Sequence, residues 1–142
     1  MKYKVIDKTI IARIDKGEEI VSSITDICKK ENIKLGKVSA IGAVNKVKIG
    51  LFKTDEKKYY SDILTGEFEI TSLLGNVTTM NDEVYLHLHI NISDSTFKTF
   101  GGHLNEAYVS GTCELIIDVI DGHLDRKFSD EIGLNLLELD DK

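Results

Sequence analysis

The sequence contains no proline and no low-complexity tract, so nothing in it looks like an interdomain linker. Its 142 residues match one hydrophobic core in size, and residues 1–142 are expected to form one domain. Long apolar runs are also missing. None approaches the roughly 20 residues a bilayer requires, and the N-terminal MKYKVIDKTIIARID breaks its apolar residues with charges, unlike a secretory signal. Cysteine is scarce. Cys28 and Cys113 lie far apart with no metal-ligand spacing, so they are expected to be buried, reduced thiols of a cytoplasmic protein. Basic charge is in deficit, with 18 Lys+Arg against 24 Asp+Glu and a formal net charge of −6. Direct contact with DNA usually demands the opposite balance. Walker, GxGxxG, GxSxG and HExxH motifs are absent too.

What is present reads as an α+β fold. Tyr3 to Ile14 is rich in Val, Ile and Tyr and predicts a first strand. Gly17 punctuates it. Glu18-Glu19 then place negative charge at a helix N-terminus, and Ile20, Ile24, Ile27 and Cys28 form one apolar helical face ending near Glu31-Asn32. From Gly36 the pattern turns to β. A strand pair is expected at Val38–Val44 and Val47–Phe52, followed by strands at Tyr59–Leu64, Glu67–Thr79 and Val84–Ile92. Asn81-Asp82 marks a turn. A long strand follows at Ala107–Ile120, with Asp121-Gly122 as a hairpin signal. Leu134–Leu139 fits either an edge strand or a helical turn. Short connections favour a mainly antiparallel sheet, flanked by one or two helices.

Chemistry concentrates in three histidines. Strict alternation from Val84 to Ile92 puts Val84, Leu86, Leu88, Ile90 and Ile92 on one face and Tyr85, His87, His89 and Asn91 on the other. His87 and His89 therefore project together, roughly 6–7 Å apart along the strand. Both imidazoles can reach one cation at metal–nitrogen distances of about 2 Å. His103 follows two glycines, Gly101-Gly102, which permit unusual backbone conformations and close approach of the chain. Three neutral imidazoles and one open position suit zinc or a similar divalent metal. Other residues carry less. Glu114 would orient an imidazole or accept a proton only if its strand pairs beside the histidine strand; a solvated glutamate is the plainer reading. Arg13 reads as one half of an ordinary ion pair, and His123 as an exposed loop histidine outside the set.

Several blocks, in order, resemble the plants-and-prokaryotes conserved domain, the PPC family, whose plant members carry AT-hooks. They are Arg13-Ile14-Asp15-Lys16-Gly17-Glu18-Glu19, Ser39-Ala40-Ile41-Gly42-Ala43-Val44, Gly66-Glu67-Phe68-Glu69-Ile70 with Leu73-Leu74-Gly75, and Leu86-His87-Leu88-His89 running into Gly101-Gly102-His103-Leu104, then Val109 and Glu114. The resemblance implies a homotrimer and a metal site, of zinc type, at His87, His89 and His103. It does not extend to the hook. An AT-hook inserts Arg-Gly-Arg-Pro into the minor groove, whereas this chain has only Arg13 and Arg126 and no proline. Two functions follow. One is a metal-dependent protein that binds or acts on a small molecule, its reaction unspecified. The other is a DNA-associated regulatory or oligomerisation module without a hook of its own.

Overall fold

The computed structural model describes residues 1–140, and the last two residues of the expected domain lie outside that range. The elements are β1 (Lys2–Ile6), β2 (Thr9–Asp15), α1 (Ile20–Lys30), β3 (Gly36–Lys53), β4 (Lys58–Met80), β5 (Glu83–Ser93), β6 (Thr99–Val119), β7 (Arg126–Ser129) and β8 (Leu134–Leu137). Every named strand pair is antiparallel. Six strands form one sheet in the order β1-β2-β6-β3-β4-β5. The start of β6 also pairs with β5, so β3, β4, β5 and β6 close on themselves. β7 and β8 form a separate hairpin. The expected α+β class holds, with one helix among the described residues. That helix is too short and too polar to cross a membrane.

The helix forms where the isoleucine spacing predicts it. Glu19 caps it, its carboxylate accepting from the N–H groups of Val21 and Ser22, both at 2.8 Å. The same carboxylate accepts from Ala107 N at 3.0 Å, which fastens the helix start to β6. Ile20, Ile24, Ile27 and Cys28 are fully buried against Ile10, Ile14, Val38, Leu73, Ile92, Leu115 and Ile117 of the sheet. Each such side chain removed from water contributes about 1.5–3 kcal/mol. Cys28 and Cys113 are both free and buried, and burial pushes each thiol up to about 12.

Four expectations about the strands change. The first strand is a hairpin, β1–β2, turning at Asp7, whose φ is 53°. No glycine marks this turn. The expected pair at Val38–Phe52 is one strand, β3, and Tyr59–Thr79 is likewise continuous as β4; irregular register between them absorbs the bends. β6 starts at Thr99, ahead of the expected Ala107. Finally, Asp121-Gly122 does not fold β6 back into a hairpin. Both edges of that end of β6 are already taken, by β2 and β3, so no edge is free for a returning strand. The chain instead leads to β7, and Leu134–Leu137 is a strand. Asn81 and Asp82 do form the expected turn, both with positive φ.

Candidate metal centre

The turn between β5 and β6 sets the geometry. Asp94 Oδ1 accepts from Thr96 N at 2.9 Å, Thr96 Oγ1 at 2.7 Å and Lys98 N at 3.1 Å. These bonds hold the Asp94 carboxyl below its usual range. The resulting register sets His89 directly opposite His103. His103 therefore lies within β6, not in a loop folded back over it. The glycines before it act through close approach. A Cβ on Gly102 would stand 2.7 Å from Gly50 O of β3, and one on Gly101 would stand 2.9 Å from Ile90 O of β5. Without side chains there, β6 fits between its two neighbours as the strands close.

His87, His89 and His103 converge on the face opposite the helix. Ring centroids are 5.1 Å apart for His87–His89, 5.4 Å for His87–His103 and 5.8 Å for His89–His103. One ligand nitrogen from each lies within 4.8 Å of the others. A tetrahedral ion with nitrogens at 2.0–2.1 Å needs them about 3.3 Å apart, a closure that side-chain rotation supplies. Burial lowers the pKa of His87, aided by His89, Arg126 and His103. Burial, with His89, also lowers that of His103. Both effects favour the neutral imidazole that a metal requires. The donor set fits a divalent ion of borderline softness.

Other residues fall into place around this set. Tyr59 packs edge-on to His103 at 5.9 Å, over the bare backbone of Gly50, and its hydroxyl donates to Asn105 Oδ1. Burial raises its pKa. The structure does not bring Glu114 to the histidines. It sits at the far end of β6 from His103, opposite Arg13 of β2 and Ile41 of β3, because β5 pairs only with the start of β6. Arg13 pairs with Asp15 at 2.7 Å, as expected. His123 is half exposed and meets Thr79 Oγ1 at 2.7 Å and Asp125 at 3.1 Å, away from the trio.

Sequence reasoning missed Arg126. The residue is only 8% exposed, and its guanidinium is held on three sides. Its Nε donates to Thr78 Oγ1 at 2.8 Å, Nη1 to Asn135 O at 3.0 Å and Nη2 to Asn76 Oδ1 at 2.9 Å, while the group lies 4.8 Å from the Tyr85 ring centre. Asn76 is the cross-strand partner of His87. Little that is local announces this role, since two of the three acceptors, Thr78 and Asn76, lie about fifty residues away.

The histidine face is also apolar. Residues directly opposite in antiparallel strands share a face. One such row crosses the whole sheet: His89, Leu74, Ser39, Ile116, Ile11 and Lys4. Along it and beside it Leu74 is 54% exposed, Ile116 41%, Ile11 47% and Ile41 56%. They line a shallow depression that begins at the strand bearing His89's partner and ends beside the N-terminus.

Fold and site together define an antiparallel β protein with a three-imidazole cluster at the border of an exposed apolar face. Residues 1–121 match the Plants and Prokaryotes Conserved (PCC) domain, also written PPC, and the chain belongs to that family. Three solved structures resemble it over nearly their whole length. A candidate DNA-binding protein of Bacteroides thetaiotaomicron is 31% identical, with a TM-score of 0.94 over 96% of each chain. A metal-containing protein of Archaeoglobus fulgidus is 31% identical, with a TM-score of 0.86 over 95% of each chain. A PPC protein of Pyrococcus horikoshii is 30% identical, with a TM-score of 0.86 over 99% of this chain and 97% of its own. No curated protein matches the sequence.

Proposed function

We propose that this PPC-domain protein is a homotrimer in which His87, His89 and His103 hold one divalent ion, of zinc type, for binding or acting on a small molecule. The convergence of three ligand nitrogens within 4.8 Å carries this reading. No carboxylate or thiol joins the three imidazoles among the described residues. That leaves a coordination position for a ligand, as in zinc sites that do chemistry rather than hold a fold. A bound ion there would supply Lewis acidity and lower the pKa of a ligating water. The metal-containing relative from Archaeoglobus supports the metal. For the trimer, the support is the exposed strip of Ile11, Ile41, Leu74 and Ile116, since contiguous bare apolar surface is a common mark of an interface. A threefold interface built on this strip would lie on the same sheet face as the histidines.

Elemental analysis of untagged, natively purified protein tests the metal reading. The expected result is about one zinc or similar ion per chain, lost in His87→Ala and His103→Ala and retained in Glu114→Gln. Metal-free protein that takes up none on incubation with zinc would overturn it. A second reading, a DNA-associated regulatory module, is favoured by the Bacteroides neighbour. Salt-dependent binding of duplex DNA would support it; the net charge of −6 and the missing hook weigh against direct contact.

A further inference from the structure

The guanidinium of Arg126 poses an electrostatic problem. The residue is nine-tenths buried, and each of the guanidinium's three hydrogen bonds goes to a neutral oxygen. Among the described residues no carboxylate stands within ion-pair distance of it, and the burial holds its pKa below the ordinary arginine value. Surroundings of this kind favour an incoming anion, because neutral dipoles and one aromatic face replace only part of a cation's hydration. Arginine has five N–H donors, and three bonds leave hydrogens on both terminal nitrogens uncommitted.

Its position suggests which anion it would receive. Nη2 donates to Asn76, whose Cα partner across the β4–β5 ladder is His87. Directly opposed side chains on one face stand about 4.5–5.5 Å apart at Cβ. Tyr85, under the guanidinium, is two positions from His87 and on the same face of β5. The imidazole cluster and the guanidinium are therefore neighbouring poles on one surface, with the Asn76 amide between them. Once an ion is bound, both poles are positive.

We propose that Arg126 forms an oxyanion subsite beside the histidine centre, and that the two together bind a small dicarboxylic acid. One carboxylate ligates the ion and the other receives the free N–H groups of Arg126. This rests on the histidine centre holding a metal. It adds a ligand class and a residue contributed by the C-terminal hairpin, which lies beyond the 1–121 segment that matches the family.

Calorimetric titration of the zinc-loaded full chain with linear dicarboxylates from malonate to adipate, against monocarboxylates of equal length, tests the subsite. Zinc content is measured in every sample. Wild type should prefer at least one dicarboxylate over its matched monocarboxylate by about tenfold or more, the usual scale of a charge-assisted contact. Arg126→Gln should keep its zinc and lose that preference, while Arg126→Lys retains part of it. Tyr85→Leu controls for a purely structural role, since it loosens the packing and leaves the charge. The subsite is overturned if zinc-loaded wild type shows no dicarboxylate preference, if the preference survives Arg126→Gln, or if Tyr85→Leu abolishes it equally. Wild type that takes up no zinc instead overturns the metal reading, and this one with it.

Discussion

The two faces of the main sheet are built from alternate residues of the same strands, yet they do different work. On the helix side Ile10, Leu73, Leu115 and Ile117 are buried beneath α1. On the other side Ile11, Leu74 and Ile116, each one position away from a core residue, stand half exposed on the face that carries the histidines, with Leu74 directly opposite His89. A one-residue step thus separates a side chain that stabilises the protomer from one available to a partner or a ligand. Burial of one face supplies rigidity, and the imidazoles stand on its reverse.

Substitution on each face should sharpen this contrast. The largest effect on folding is expected at the helix–sheet contact. Ile24→Ala, in a fully buried position, should cost about 2–5 kcal/mol, read from denaturant midpoints. On the bare face, Ile41→Asp should leave protomer stability within about 0.5 kcal/mol while dissociating the proposed trimer, read by sedimentation. An Ile41→Asp protein that still sediments as the wild type would remove this strip from the interface. The smallest effect is in pH. His87 and His103 have folded-state pKa values below their unfolded ones, so the unfolded chain binds protons first. In metal-free protein the histidine contribution to stability should therefore be fully present above about pH 6.5 and be lost as pH falls from there through the folded values. The lowered carboxylates Asp15, Glu18 and Asp94 act only further down, from the ordinary carboxylate pKa to their lower folded values. Replacing His87 and His103 with Asn should flatten the upper step in thermal melts; an unchanged slope would show that neither imidazole is desolvated by the fold.

Much of this was legible in the sequence, and the reasons are local. The helix announces itself by isoleucine spacing, and the histidine pair by strict alternation along Val84–Ile92. His103 was legible as a partner, though it arrives by strand register rather than by a glycine loop. Glu114 was misplaced for a topological reason. It lies on the strand that pairs with β5, but that pairing covers only Thr99 to His103. The Asp7 turn hides because an aspartate takes positive φ there without a glycine to mark it. Arg126 stayed silent because Asn76 and Thr78, which hold it, are about fifty residues away.

The hairpin that carries all three imidazoles has a consequence for the order of assembly. His87, His89 and His103 belong to consecutive strands joined by the short turn at Asp94. Hairpins of this sort close in microseconds, well ahead of pairings between distant segments. The three imidazoles thus depend on one local pairing, whereas Arg126 reaches its place beside Asn76 only when the β7–β8 hairpin docks against β4. The proposed metal ligands and the proposed anion subsite would then be set by two separate pairings, one between neighbouring strands and one that spans about fifty residues.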